Sequence, residues 1–307
     1  MRLDSETLAR MSRIEMLCCQ DVGRGTAALA QAAGGDLCAA ACSIVDHPRP
    51  RVAIVTGWFI PTSSPPAPET DGINGAVHLA AGLVSAGMQA MLVTDAPCAS
   101  ALRAATTAVT EEIPITVVEP STGAVDGLSD AWVAGGVPPS HLVAIERVGP
   151  AADGRLLGQY GFDFTPHCAP FHKLFEGAIG ERPWITIGIG DGGNEIGMGK
   201  LPRGLIEREV PMGDRIACVV PCDYLVVAGV SNWGAFGLLA ALALLRPDLR
   251  DAFTRHFDPA TDWRMLVAAV DQGPAVDGSP ERQQYTVDGL PWRRHGDLID
   301  QLRGLLS

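Results

Sequence analysis

Pro183 to Lys200 reads PWITIGIGDGGNEIGMGK. It opens with an apolar, β-branched run, Trp184-Ile185-Thr186-Ile187, the pattern of a strand buried on both faces. Glycines follow at 188, 190, 192, 193, 197 and 199, with Asp191, Asn194 and Glu195 among them. Glycine lets a backbone turn sharply and come close to a ligand. A carboxylate at the end of a buried strand is costly unless something uses it. The stretch therefore points to a site at the carboxyl end of a strand, where open α/β sheets bind ligands. The competing reading is a glycine-rich turn whose Asp or Asn caps a helix. Gly188-x-Gly190-x-x-Gly193 has dinucleotide-fingerprint spacing, but Asp191 stands where a pyrophosphate needs neutral or positive surroundings. The P-loop pattern fails, because Asn194 stands where its first glycine belongs and Leu201 follows Lys200.

Outward from this strand, apolar runs at 52–55, 89–94, 115–118, 141–145 and 224–228 repeat the pattern. Helical periodicity is expected between them, at 74–86, 100–109, 128–134, 170–179 and 234–245, and then at 248–257, 262–270 and 295–306. Alternation of this kind predicts an α/β fold, a mainly parallel sheet with helices on both faces. Residues 3–46 read as two or three helices, with Thr26 able to cap one of them. His47-Pro48-Arg49-Pro50 breaks the chain. The expected organisation is an N-terminal helical extension, 1–47, followed by one α/β domain, 48–307. Thr70 or Asp71 is expected to cap the helix at 74–86, Ser231 or Asn232 the helix at 234–245, and 274–284 to be a surface loop.

With 47% hydrophobic and 19% charged residues the chain is globular and not disordered. A net charge of −12 argues against nucleic-acid partners and anionic membranes. Only Lys173 and Lys200 could form a PLP Schiff base, and neither has a persuasive setting; no G-x-S-x-G occurs either. No nucleotide or PLP is expected. Eight cysteines without C-x-x-C or His clusters read as small buried residues in a reducing compartment. The charged N-terminus has no apolar signal core, and the longest apolar helical run, 233–245, is too short to span a membrane. The expectation is a cytoplasmic protein.

In a parallel sheet the strand ends share one edge, so Thr56-Gly57, Asp95, Glu119, Glu146-Arg147, Asp191 and Asn232 are candidates for one crevice. Loops add Glu69, Asp71, Asp153, Asn194 and Glu195. Asp95 and Glu119 rank as ordinary loop residues, and His172 and Lys173 as solvated. Carboxylates with Asn suit Mg²⁺ or another hard divalent cation, or an amine-bearing substrate.

Four stretches resemble the glutamate cyclase domain of D-glutamate cyclase and related bacterial proteins. They are Gly57 to Ile60 with Pro65 to Gly72; Ile145-Glu146-Arg147 with Ala152-Asp153-Gly154; Ile187 to Gly199; and Ala228 to Gly234. The resemblance covers about residues 50 to 245. It implies a lyase of the hydro-lyase type that converts D-glutamate to 5-oxo-D-proline and water. On it, Asp191 and Glu195, with Glu69 and Asp71, are assigned acid/base work; Asp191, Glu195 and Asp71 are candidate ligands for Mg²⁺ or Mn²⁺. Arg147 would hold the substrate α-carboxylate. Gly192, Gly193, Asn194 and Asn232 would position the γ-carboxyl group, with Glu146 and Asp153 beside it. The alternatives are another metal-dependent enzyme on a small amino acid or phosphorylated substrate, and a non-catalytic amino-acid sensor. The expected partner is a small acidic amino acid, and association into a homo-oligomer stays open.

Overall fold

The apolar runs form the strands β1 (Arg51–Thr56), β2 (Gln89–Asp95), β3 (Ile115–Val118), β4 (His141–Ile145), β5 (Ile185–Gly190) and β6 (Tyr224–Val227) in the computed structural model, which describes residues 3–177 and 182–306. They make one sheet in the order β3-β2-β1-β4-β5-β6, and every pairing is parallel. This is the doubly wound order, in which the connections reverse direction between β1 and β4. The crevice outside the carboxyl ends of β1 and β4 is where such sheets hold ligands.

Twelve helices are present among the described residues: α1 (Ser5–Cys18), α2 (Thr26–Ala32), α3 (Asp36–Asp46), α4 (Ile73–Ser85), α5 (Ala99–Thr106), α6 (Thr122–Ala134), α7 (Arg203–Glu209), α8 (Gly213–Ile216), α9 (Ser231–Leu245), α10 (Arg250–Phe253), α11 (Pro259–Asp271) and α12 (Arg293–Gly304). They cover both faces, as the α/β pattern requires. On one face α9 is buried along all fifteen residues. A helix that is apolar all round belongs inside, and α1, α3, α4 and α12 pack around it. On the other face, α2, α6, α7 and α8 cover a second cluster built on Val55, Leu142 and Leu225. The N-terminal helices thus contribute to both layers of the core. Among the described residues no single helix is long and apolar enough to cross a membrane.

The departures from expectation are local. Helix α6 starts at Thr122, six residues before 128, because Ser121 Oγ accepts from the Ala124 amide despite Gly123 and Gly127. In place of a helix over 170–179 there is a short 3-10 turn, Phe171–Phe175, pinned by Trp184 Nε1 donating to the Leu174 carbonyl; positions 178–179 lie outside the described residues. Thr26 does not cap α2, whose N-cap is Gly25. The segment 274–284 is no simple surface loop: Ala275, Val276 and Asp277 are buried, and Val276 exchanges backbone hydrogen bonds with Pro68 and Thr70. All eight cysteines are free thiols, and five of them are buried.

Candidate active site

The loop after β1 delivers Glu69 and Asp71, β4 ends on Glu146, β5 on Asp191, and β6 leads into Ser231 and Asn232. All six are buried. Glu146 has a φ of +46°, in the left-handed region that a non-glycine residue enters at a cost of about 1–3 kcal/mol. Its Oε2 accepts from the Ser231 hydroxyl. Gly72, at φ +80°, lets the β1 loop pass close by: a Cβ there would lie 2.7 Å from the Glu146 Cβ. Carboxylate oxygens of Asp71, Glu146 and Asp191 lie within 4.8 Å of one another.

The helix caps are exchanged between neighbours. Neither α4 nor α9 is capped by a side chain of its own N-terminus. Instead Asp71 accepts from the amides of Ser231 and Asn232, both at 3.0 Å. Asn232 Oδ1 in turn accepts from the Gly75 amide, in the first turn of α4, at 2.7 Å. The carboxylate at the start of α9 also satisfies its orphan N–H groups and faces its positive end. Asp191 Oδ2 accepts a second, longer bond from the Ser231 amide at 3.2 Å.

In front of this cluster lies a cavity of about 430 Å³. Glu69, Glu146, Asp191, Gly192, Asn194 and Glu195 form its acidic wall; Trp58, Ile60 and Phe164 form an apolar one. Glu195 Oε1 accepts from the amides of Asp191 (2.8 Å) and Gly192 (2.6 Å), which fixes the turn, while its buried Oε2 has no partner. Asn194 Nδ2 donates to the Leu157 carbonyl.

Other candidates are engaged elsewhere. Arg147 is fully buried and donates to Asp95 at 2.5 Å, to Ala169 O at 2.8 Å and to Gly57 O, with its guanidinium over the Phe171 ring. It braces the ends of β1, β2 and β4 from behind and does not line the cavity. Asp95 is therefore a buried ion-pair partner and not an ordinary loop residue. Asp153 is on the surface, paired with Arg155. Gly193 backs onto Ile206 of α7, and Asn232 is committed to its cap. Lys173 and Lys200 sit in exposed ion pairs with Asp126 and Asp36.

Two lining residues have no counterpart in the sequence reading. Arg24, in the loop between α1 and α2, bonds Asp191 at 2.7 Å and Asp288 at 2.5 Å. Asp288, at φ +56°, sits in the turn between Thr286–Val287 and Leu290–Pro291. The signals were faint: a lone arginine between Gly23 and Gly25, and an Asp-Gly turn pair.

Burial dominates the electrostatics. It pushes Asp191 up to about 6, against the pull of Arg24, with Glu195 pushing it up further. Burial and the Asp191 charge push Asp288 to about 7. Burial and neighbouring carboxylates hold Glu69, Asp71 and Glu146 well above the usual range. For Arg24, Asp191 and Asp288 outweigh burial and keep the guanidinium charged. The cavity therefore holds two carboxyl groups, Asp191 and Asp288, poised near neutrality, and others held well above the usual range, against one cation among the described lining residues. Such a set can accept an ammonium group, hold a hard divalent ion, or relay protons.

A family model for the C-terminal part of D-glutamate cyclase-like proteins matches residues 14–303. The chain belongs to the D-glutamate cyclase-like family. A relative in Homo sapiens is D-glutamate cyclase, mitochondrial, 34% identical over 286 residues covering 84% of this chain and 46% of that protein. The chain spans about half the length of that relative.

Proposed function

We propose that the chain cyclises D-glutamate to 5-oxo-D-proline with release of water, as a hydro-lyase. The observation that carries this reading is the Asp191–Asp288 pair beside Glu146: buried carboxyls, two of them held at about 6 and about 7, in one cavity. Its relationship to a D-glutamate cyclase supports it further.

The reaction forms a bond from the α-nitrogen to Cδ and breaks a Cδ–O bond. The α-ammonium loses two protons and both leave with the oxygen as water, so the net charge does not change. A base must first neutralise the ammonium, and an acid must then protonate the departing oxygen. Carboxyls poised near neutrality can do both in turn. Asp288 and Asp191 take the ammonium protons, and Glu146, with the Ser231 hydroxyl on its Oε2, delivers to the leaving oxygen. Glu69 closes the acidic wall on the other side.

Asp71, Glu146 and Asp191 offer the all-oxygen donor set that Mg²⁺ or Mn²⁺ prefers, and too few cations surround them to balance their charge. When bound there, such an ion would offset the charge of the γ-carboxylate and make its carbon a better electrophile. Glu195, with Oε1 on two amides, supports the turn behind these ligands.

Proton NMR of the purified protein with D-glutamate, then L-glutamate, each with Mg²⁺ or Mn²⁺ and with EDTA, tests the reading. We expect 5-oxoproline from D-glutamate above the spontaneous rate, and none above it in EDTA. Binding without product would instead favour an amino-acid sensor.

A further inference from the structure

Arg24 is the one cationic side chain among the described residues that line the cavity. It comes from a loop stiffened by Asp21, which accepts from the amides of Gly23 and Arg24. The guanidinium spends one nitrogen on Asp191 Oδ1 and the other on Asp288 Oδ1. It thus makes two single contacts to different acids, where a planar fork favours two contacts to one carboxylate. Its side chain is 21% exposed, against 2% and 5% for its partners, and it lines the cavity together with them. Asp288 Oδ2 is buried and accepts from no donor group. A guanidinium beside an underused carboxylate is the complement of a zwitterionic amino-acid head. Arg147, the other arginine at the strand ends, has both terminal nitrogens engaged by Asp95, Gly57 and Ala169 and does not line the cavity.

We propose that Arg24 and Asp288 together receive the α-amino-acid head of the substrate: Arg24 the α-carboxylate, Asp288 the α-ammonium. This rests on the cyclase reading for the identity of the substrate. In the ligand-free protein Asp191 and Asp288 stand in for the substrate carboxylate on Arg24. Entry of the substrate exchanges the two Arg24 ion pairs for two to the substrate head and releases Asp191 Oδ1 into the cavity. The ammonium then lies beside the acids that must deprotonate it, and the γ-carboxyl group extends toward Glu146.

A substrate pair separates this role from a merely structural clasp. D-glutamate and its α-carboxamide, D-isoglutamine, differ only in the charge that Arg24 would meet. Binding by calorimetry and turnover by NMR would be measured for both on the wild type, Arg24→Gln and Arg24→Lys, with melting curves as the folding control. We expect the wild type to prefer D-glutamate by about 100-fold, the scale of a charge-assisted pair. Arg24→Gln should bring the ratio of the two dissociation constants toward one, any fall in kcat from the loss of the cation beside Asp191 and Asp288 being common to both ligands, and Arg24→Lys should recover part of the ratio. Equal losses of affinity for both ligands, or no loss for either, would overturn the assignment. A wild type that binds D-glutamate but makes no product would sink the cyclase reading and leave the Arg24 comparison readable from binding. A wild type that binds neither ligand would overturn both.

Discussion

Glu69 shows how chemistry and stability pull apart at a single residue. It is buried and held well above its usual range, first by desolvation and then by Asp288. An isosteric amide removes that burden. Glu69→Gln is expected to raise the melting temperature of metal-free protein at pH 8 and to lower kcat/KM for D-glutamate by about 10-fold or more. Thermal unfolding and an NMR rate on the same sample check both. At this scale the sequence showed the acids of the glycine motif and of the β1 loop, because each sits at a strand end or next to a helix start. It did not show Arg24 or Asp288. Nothing local marks two residues 264 positions apart as neighbours; only the closed fold brings them to Asp191. Arg147 was misleading for a related reason. Its place at the end of β4 was legible, but not that Asp95 and two carbonyls claim its terminal nitrogens from behind the sheet.

At the scale of elements, α4 and α9 depend on each other. Asp71 holds the start of α9, and Asn232 of α9 holds the start of α4. Asn232→Ala should therefore behave first as a lost helix cap. We expect a loss of about 1–2 kcal/mol in urea unfolding, and a change in kcat that follows from the loosening of Asp71. The helices also cross closely at Gly75, where a Cβ would lie 2.8 Å from the Ala235 Cβ and 2.9 Å from Asn232 Oδ1. Gly75→Val should cost about 1–3 kcal/mol by overpacking and disturb the same cap. The presence of these helices was legible in their periodicity, and so were the six strands, the one at 184–190 included, each to within a residue at each end. The caps were not, because the sequence offers Thr70, Asp71, Ser231 and Asn232 next to the helices they precede. Which helix each one serves is decided by the distance between two loops, not by order along the chain.

For the whole molecule, the excess of buried carboxyls makes stability depend on pH in an unusual direction. Asp191 and Asp288 titrate at about 6 and about 7 in the folded state, above the ordinary carboxylate range of the unfolded chain. Folding therefore binds protons, and the contribution is complete below about pH 4 and lost as pH rises through 6 and 7. In EDTA the melting temperature should fall by several degrees, about 5 °C or more, between pH 5 and pH 8. Mg²⁺ or Mn²⁺ should reverse the fall at pH 8, since an ion bound only by the folded state stabilises it. A flat profile would mean that the acids keep ordinary values, and with them no poised acid or base. The parallel sheet and its two covered faces followed from six apolar strands alternating with helices. The strand order did not, so the sequence could name the edge on which the site lies but not the β1–β4 crevice itself.

The decisive measurement compares wild type with Asp191→Asn, matched by melting curve and by circular dichroism, for formation of 5-oxo-D-proline from D-glutamate at pH 7 with Mg²⁺ or Mn²⁺. Asp191 touches Arg24 and Ser231 and shares the acidic cluster with Asp71 and Glu146. The expected result is product from the wild type and a rate at least about 100-fold lower from the folded variant. Equal rates in the two proteins, or no product from a folded, metal-supplied wild type, would show that this cavity is not where D-glutamate closes.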